Sequence, residues 1–74
     1  MPVIDFPLRG EVVTLDAVLK ATGLAASGGL AKRMIADGQV CVDGSVELRK
    51  TCKLRAGQVV DVDGTRVRVL GAAG

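Results

Sequence analysis

The chain has 74 residues, ten Lys or Arg against eight Asp or Glu, and 49% hydrophobic residues drawn mostly from Val, Ala and Leu. That is the length of one domain with a small core, too small to enclose a substrate. Histidine, Trp and Tyr are absent and Phe6 is the one aromatic residue, which removes the commonest general base, the commonest metal ligand and the rings on which unpaired bases stack.

Ile4, Phe6 and Leu8 alternate with Asp5 and Pro7, a strand pattern in which Pro7, lacking an N–H, belongs at an edge or an end. Arg9-Gly10 reads as a turn. Thr14 then reads as a helix N-cap, with Leu15, Val18 and Leu19 on one helical face, Asp16 and Lys20 spaced i, i+4, and Gly23 as the left-handed stop. Ser27 repeats the start signal. Leu30, Ala31, Met34 and Ile35 form an apolar stripe, Gly38 repeats the stop, and Lys32, Arg33, Ala36 and Asp37 face outward. Only residues 24–26 separate the two helices, so they are expected to pack at a steep angle.

Two Asp-Gly pairs, Asp43-Gly44 and Asp63-Gly64, call for tight hairpins. In the second, a two-residue loop sets Val62 opposite Thr65, Asp61 opposite Arg66 and Val60 opposite Val67, which puts apolar residues on one face and an ion pair on the other. The first hairpin is in conflict: the same register places Val40 and Val42 on one face but Val46 and Leu48 on the other. A bulge or a longer loop is one way out. Residues 47–55 have no period and are cationic, so they read as an ordered loop over the sheet, and Ala56-Gly57 turns the chain into the last hairpin. Gly71-Ala72-Ala73-Gly74 is expected to fray. The expected class is α+β, two short packed helices against a small, mainly antiparallel sheet of three to five short strands, in a single domain over residues 1–74.

Charge is unevenly spread. Residues 20–55 hold seven cations and three acids, a net +4, while the remainder nets −2. Lys32, Arg33, Arg49, Lys50, Lys53 and Arg55 fall on three adjoining elements, a surface suited to a polyanion. Lys32 and Arg33 alone are also what any solvated helical face carries. Gln39 adds a neutral hydrogen-bonding group beside them. Ser27-Gly28-Gly29 offers helix N-terminal N–H groups to one phosphate, or equally a capped tight turn. Cys41 and Cys52 complete neither a disulfide framework nor a zinc site; the cations around Cys52 are expected to lower its pKa. No catalytic set can be assembled, and no metal or cofactor is expected. The N-terminus lacks the pattern of a secretory signal and no apolar run approaches membrane-spanning length, so a cytoplasmic protein away from membranes is expected.

Order and spacing together resemble the S-four RNA-binding domain, built around the alpha-L motif. The matching residues are Ser27, Ala31, Ile35, Gly38, Val40, Val42, Asp43 and Gly44, then Lys50, Lys53, Leu54 and Gly57, with Leu15, Asp16, Val18, Leu19 and Gly23 in the first helix. They cover about residues 14–60, and the likeness is to small bacterial proteins consisting of this domain alone. Gly28, Thr14 and Cys41 stand where relatives often carry basic residues, and Gly57-Gln58 replaces a Gly-Asp. The resemblance implies a non-enzymatic binder of structured RNA, ribosomal or transfer, with the ribosome itself as a partner. Candidate RNA contacts are Lys32, Arg33, Gln39, Arg49, Lys50, Lys53 and Arg55, and Ser27, Gly28 and Gly29 for a phosphate. Recognition of folded RNA through phosphates and 2′-hydroxyls needs no exposed rings, which fits the composition. The competing readings are a helix-turn-helix DNA regulator, disfavoured because Lys32 and Arg33 would be its only base readers and a third helix is missing, a protein-interaction module, and a sulfur carrier, disfavoured by Ala73 before Gly74.

Overall fold

Strand β1 (Val3–Pro7) alternates half-buried Ile4 and Phe6 with exposed Val3, Asp5 and Pro7. It lies at one edge of a five-stranded sheet of order β1-β7-β6-β3-β4, where Pro7 has no ladder bond to forfeit on its outer side. The remaining members are β3 (Val40–Val42), β4 (Ser45–Val46), β6 (Val59–Val62) and β7 (Thr65–Leu70), while β2 (Val13–Thr14) and β5 (Lys53–Leu54) form a separate antiparallel pair. β1 runs parallel to β7, and every other pairing is antiparallel. Helices α1 (Leu15–Ala21) and α2 (Gly28–Ala36) pack on each other. The architecture is therefore α+β, as the residue pattern implies. The structure is a computed structural model that describes residues 2–71; of the tail Gly71-Ala72-Ala73-Gly74 expected to fray, all but Gly71 lies outside the described residues.

Local signals explain most element ends. Gly23 and Gly38 terminate the helices with φ of 80° and 77°, values that an L side chain adopts only with strain. Ser27 caps α2, its Oγ accepting the Leu30 N–H at 3.2 Å. Thr14 occupies the N-cap of α1, but its side chain caps nothing. The Leu15 N–H donates instead to the Cys52 carbonyl at 2.9 Å, and the Asp16 N–H to the Lys50 carbonyl at 3.2 Å. A backbone segment thirty-odd residues downstream in sequence does the work a hydroxyl was expected to do.

The second hairpin has the predicted register, Val62 with Thr65, Asp61 with Arg66 and Val60 with Val67. Its ion pair forms, Arg66 Nε donating to Asp61 Oδ1 at 3.0 Å. The first hairpin needs neither bulge nor longer loop. Asp43 and Gly44, with φ of 52° and 86°, make a two-residue turn that pairs Val42 with Ser45 and Cys41 with Val46. Val46 simply shares the outer face with Cys41 and is 56% exposed; Leu48 is 61% exposed. The conflict disappears because these two apolar side chains stay in water.

On the inner face, Val40, Val42, Val60, Val62, Val67 and Val69 join Leu15, Val18, Leu19, Ala31, Ile35, Leu54, Leu8 and Ala25 in one buried cluster. Leu30 is not part of it, being 41% exposed. In a nine-residue helix the buried contact narrows to the i, i+4 pair Ala31 and Ile35, with Met34 half-buried and Leu30 left on the flank. The outer face carries the Asp61–Arg66 pair and a second one, Arg68 donating to Asp5 Oδ1 from Nε at 2.8 Å and from Nη2 at 2.7 Å.

Candidate nucleic-acid interface

Residues 47–52 form the ordered loop expected, but 53–54 are strand, and the segment packs on the start of α1 and on β2 rather than over the five-stranded sheet. It leaves β4, crosses to the start of α1 and ends in β5. Four sets of contacts fix it. The Glu47 N–H donates to the Val40 carbonyl at 3.0 Å, prolonging the first hairpin. Glu47 Oε1 accepts from the Arg49 N–H at 3.1 Å and from Arg49 Nε at 2.8 Å. The Cys52 N–H donates to the Arg49 carbonyl at 3.1 Å, closing a turn, and the Lys50 and Cys52 carbonyls cap α1. Finally, Lys53 and Leu54 pair with Thr14 and Val13, and Leu54 is completely buried. The segment thus spends its carbonyls and one leucine on attachment and leaves its cationic side chains in solvent.

Arg49, Lys50, Lys53 and Arg55 all lie exposed on this one segment. Gln39 adjoins its beginning: it follows Gly38, where an added Cβ would stand 3.8 Å from Val46 Cγ1, one residue before Glu47. Lys32 and Arg33 are exposed on α2, the helix packed on α1, with no hydrogen bond or ion pair tying them to the basic segment among the described residues. Ser27, Gly28 and Gly29 are at the far end of α2 from Gln39; the Ser27 side chain is already occupied by Leu30 N–H.

Which charges are available follows from the ion pairs. Arg49 is held by Glu47, and Arg33 approaches Asp37 at 4.0 Å across one helical turn. Both arginine side chains are about four-fifths exposed, so each pair contributes little and an incoming phosphate can displace it. Among the described residues, Lys32, Lys50, Lys53 and Arg55 have no carboxylate within 4.0 Å. The positive end of α1 adds to the same side, offset by Asp16 in its first turn.

Glu47 was not among the residues singled out from the sequence, although the acid–base spacing Glu47-Leu48-Arg49 was visible there. Its hydrogen bonds from Arg49 hold the Glu47 carboxyl below the usual carboxylate value and raise that of Arg49. Cys52 reverses the expectation drawn from its neighbours. Burial pushes the thiol pKa up, Glu47 pushes it further, and Arg49 only partly opposes them. Desolvation outweighs the surrounding cations because those cations are exposed to water, which screens them, while Cys52 is partly buried.

Among the described residues, no three His, Cys, Asp or Glu side chains gather as a metal site. No helix is long and apolar enough to cross a membrane. A half-open cleft of about 490 Å³ is lined by Phe6, Pro7, Leu8, Arg9, Gly10, Val12, Val13 and Ala21, and none of these is an acid, a thiol or a hydroxyl.

Comparison with known proteins gives a consistent picture. The S4 domain family model matches residues 6–70. YbcJ of Escherichia coli (strain K12), described by name as a candidate RNA-binding protein, is 52% identical over 58 residues, 78% of this chain and 83% of that protein. RlbA of Bacillus subtilis (strain 168), named as a probable ribosome maturation protein, is 35% identical over 54 residues, covering 73% of this chain and 76% of the relative. The solution structure of Escherichia coli YbcJ, described as revealing an alpha-L motif involved in RNA binding, aligns with a TM-score of 0.64 at 44% identity, over 95% of this chain and 87% of that one. The crystal structure of 30S ribosomal protein S4e from Thermoplasma acidophilum aligns with a TM-score of 0.66 at 25% identity, over 78% of this chain; the chain spans only 31% of that larger protein. With a match over almost its whole length and relatives of its own size, the chain belongs to the S4 domain family.

Proposed function

We propose that the protein binds structured RNA without catalysing a reaction, and that the RNA is ribosomal, on the ribosome or on a precursor of it. The observation that carries this reading is the basic segment 47–55: its backbone is bolted to α1 while Lys50, Lys53 and Arg55 stay exposed and unpaired with any carboxylate among the described residues. A surface of this kind reads phosphate spacing and helix shape, the features by which folded RNA is distinguished. Membership in the S4 domain family and the RNA-binding and ribosome-maturation names of the relatives support the same partner. The ribosomal protein among the structural neighbours favours ribosomal over transfer RNA. Such a partner places the protein in the cytoplasm.

Lys32 and Arg33 on α2, and Gln39 just beyond its end, extend the surface, with Arg49 released from Glu47 as a phosphate replaces the carboxylate. If four or five cations each displace a counterion, log affinity falls against log salt with a slope of roughly −3 to −5. Titrating a folded ribosomal RNA hairpin, a transfer RNA and a duplex DNA of equal length at matched salt tests the proposal. Tightest binding to the ribosomal hairpin is expected; preference for the DNA would reject it.

A further inference from the structure

Resting on that RNA-binding reading, we propose that Asp43 and Gln58 form a relay that fixes the end of the basic segment and positions Arg55 for phosphate contact. Three hydrogen bonds run through it. Asp43 Oδ1 accepts the Val59 N–H at 3.0 Å, Asp43 Oδ2 accepts from Gln58 Nε2 at 3.1 Å, and Gln58 Oε1 accepts the Arg55 N–H at 2.7 Å. The Asp43 N–H in turn donates to the Val59 carbonyl at 2.8 Å. The first hairpin turn is thereby linked to the turn that follows β5, fifteen residues away in sequence.

The chemistry of the groups sets the direction of the relay. A carboxylate only accepts, so Gln58 must present its amide nitrogen to Asp43, and its oxygen is left for the Arg55 N–H. An amide turned the other way would set oxygen against oxygen at one end and N–H against N–H at the other. The charge on Asp43 thus dictates a contact it does not itself make. The same turn is held from β7 as well: Gly57 N–H donates to the Val69 carbonyl at 2.8 Å and Val69 N–H to the Gln58 carbonyl at 3.0 Å. Arg55 has no ion pair among the described residues, so its backbone is what the fold fixes, and a fixed stem lowers the ordering cost when its side chain meets a phosphate. Gln58 and Asp43 are positioning residues in this scheme; neither needs to touch RNA.

The test is a double-mutant cycle on the full chain, reading affinity for a folded ribosomal RNA hairpin. Arg55→Ala is expected to weaken binding about three- to tenfold and to flatten the salt slope by about one. Gln58→Ala should show most of that loss, and Arg55→Ala/Gln58→Ala should bind no more weakly than Arg55→Ala alone. Asp43→Asn is the sharper variant. Asn tolerates the turn's φ of 52° and keeps an acceptor for Val59, but its NH2 draws the Gln58 oxygen away from Arg55, so binding should fall as in Gln58→Ala. Amide hydrogen exchange at Arg55, measured without RNA, should quicken in both positioning variants. Additive losses in the double variant, unchanged exchange at Arg55, or full affinity in Gln58→Ala beside weakened Arg55→Ala would overturn the relay and leave the RNA reading intact. No RNA binding by the unmodified protein would overturn both.

Discussion

The Cys52 carbonyl accepts the Leu15 N–H at 2.9 Å, so the basic segment serves as the N-terminal cap of α1. The same hydrogen bonds that cap the helix also hold the backbone that carries the cations. Thr14→Ala should therefore change stability by less than about 0.5 kcal/mol, because no cap bond is lost. Ser27→Ala, which removes a real cap from α2, should cost about 1 kcal/mol. Urea midpoints of the two variants make the comparison, and equal losses would argue against a backbone cap on α1.

Leu54 is the apolar anchor of the same segment, fully buried on a two-residue strand. Leu54→Ala should destabilise by about 2–5 kcal/mol, comparable to the whole net stability expected of a chain this short. The measurement is the thermal or urea transition, which should shift far down or lose cooperativity. A loss below about 1 kcal/mol would mean that the segment is held by its hydrogen bonds alone.

How much of this was legible in the residues depends on the range over which each signal acts. The second hairpin was readable because Asp63-Gly64 fixes the turn and alternation fixes the face, both within eight residues. The first was not, because reading Val46 and Leu48 as core residues applies a rule that holds only in one direction: buried residues are apolar, but exposed ones often are too. β2 and β5 are two residues each, too short for any period to show, and their pairing joins positions forty residues apart. Pro7 called for an edge strand or a strand end, and it has both, whereas the parallel partner of β1, β7, depends on the return of the far end of the chain. At the candidate site the cations could be counted in sequence, but their pairing could not: Glu47 takes Arg49 and leaves Lys50 alone for reasons of geometry.

Glu47 and Arg49 give a pH dependence of definite sign. Hydrogen bonds from Arg49 hold the folded-state pKa of Glu47 below its ordinary value of 4.5. A depressed carboxyl contributes stability that is present above the unfolded value and lost as pH falls through the folded one. The effect of the pair should thus be full at neutral pH and fade below about pH 4.5. NMR titration of the Glu47 carboxyl should give a lower midpoint in the unmodified protein than in Arg49→Ala; identical midpoints would mean the contact is absent in solution.

Cys52 should react slowly. With burial and Glu47 both raising its pKa, the thiolate fraction at neutral pH falls below that of an exposed cysteine, and alkylation depends on the thiolate. Timed iodoacetamide labelling with mass spectrometry should show Cys52 modified more slowly than a cysteine in an unstructured peptide. Faster labelling would indicate that the cations, rather than desolvation, govern the thiol.

On the proposed function, a backbone-anchored row of cations forms the RNA contact. Its most direct test is the salt dependence of ribosomal RNA hairpin binding by the Arg49→Ala/Lys50→Ala/Lys53→Ala variant, with folding verified alongside. A loss of two orders of magnitude or more at low salt, and a slope shallower by about two to three, is predicted. A folded variant that keeps both its affinity and its slope would show that these cations do not make the contact.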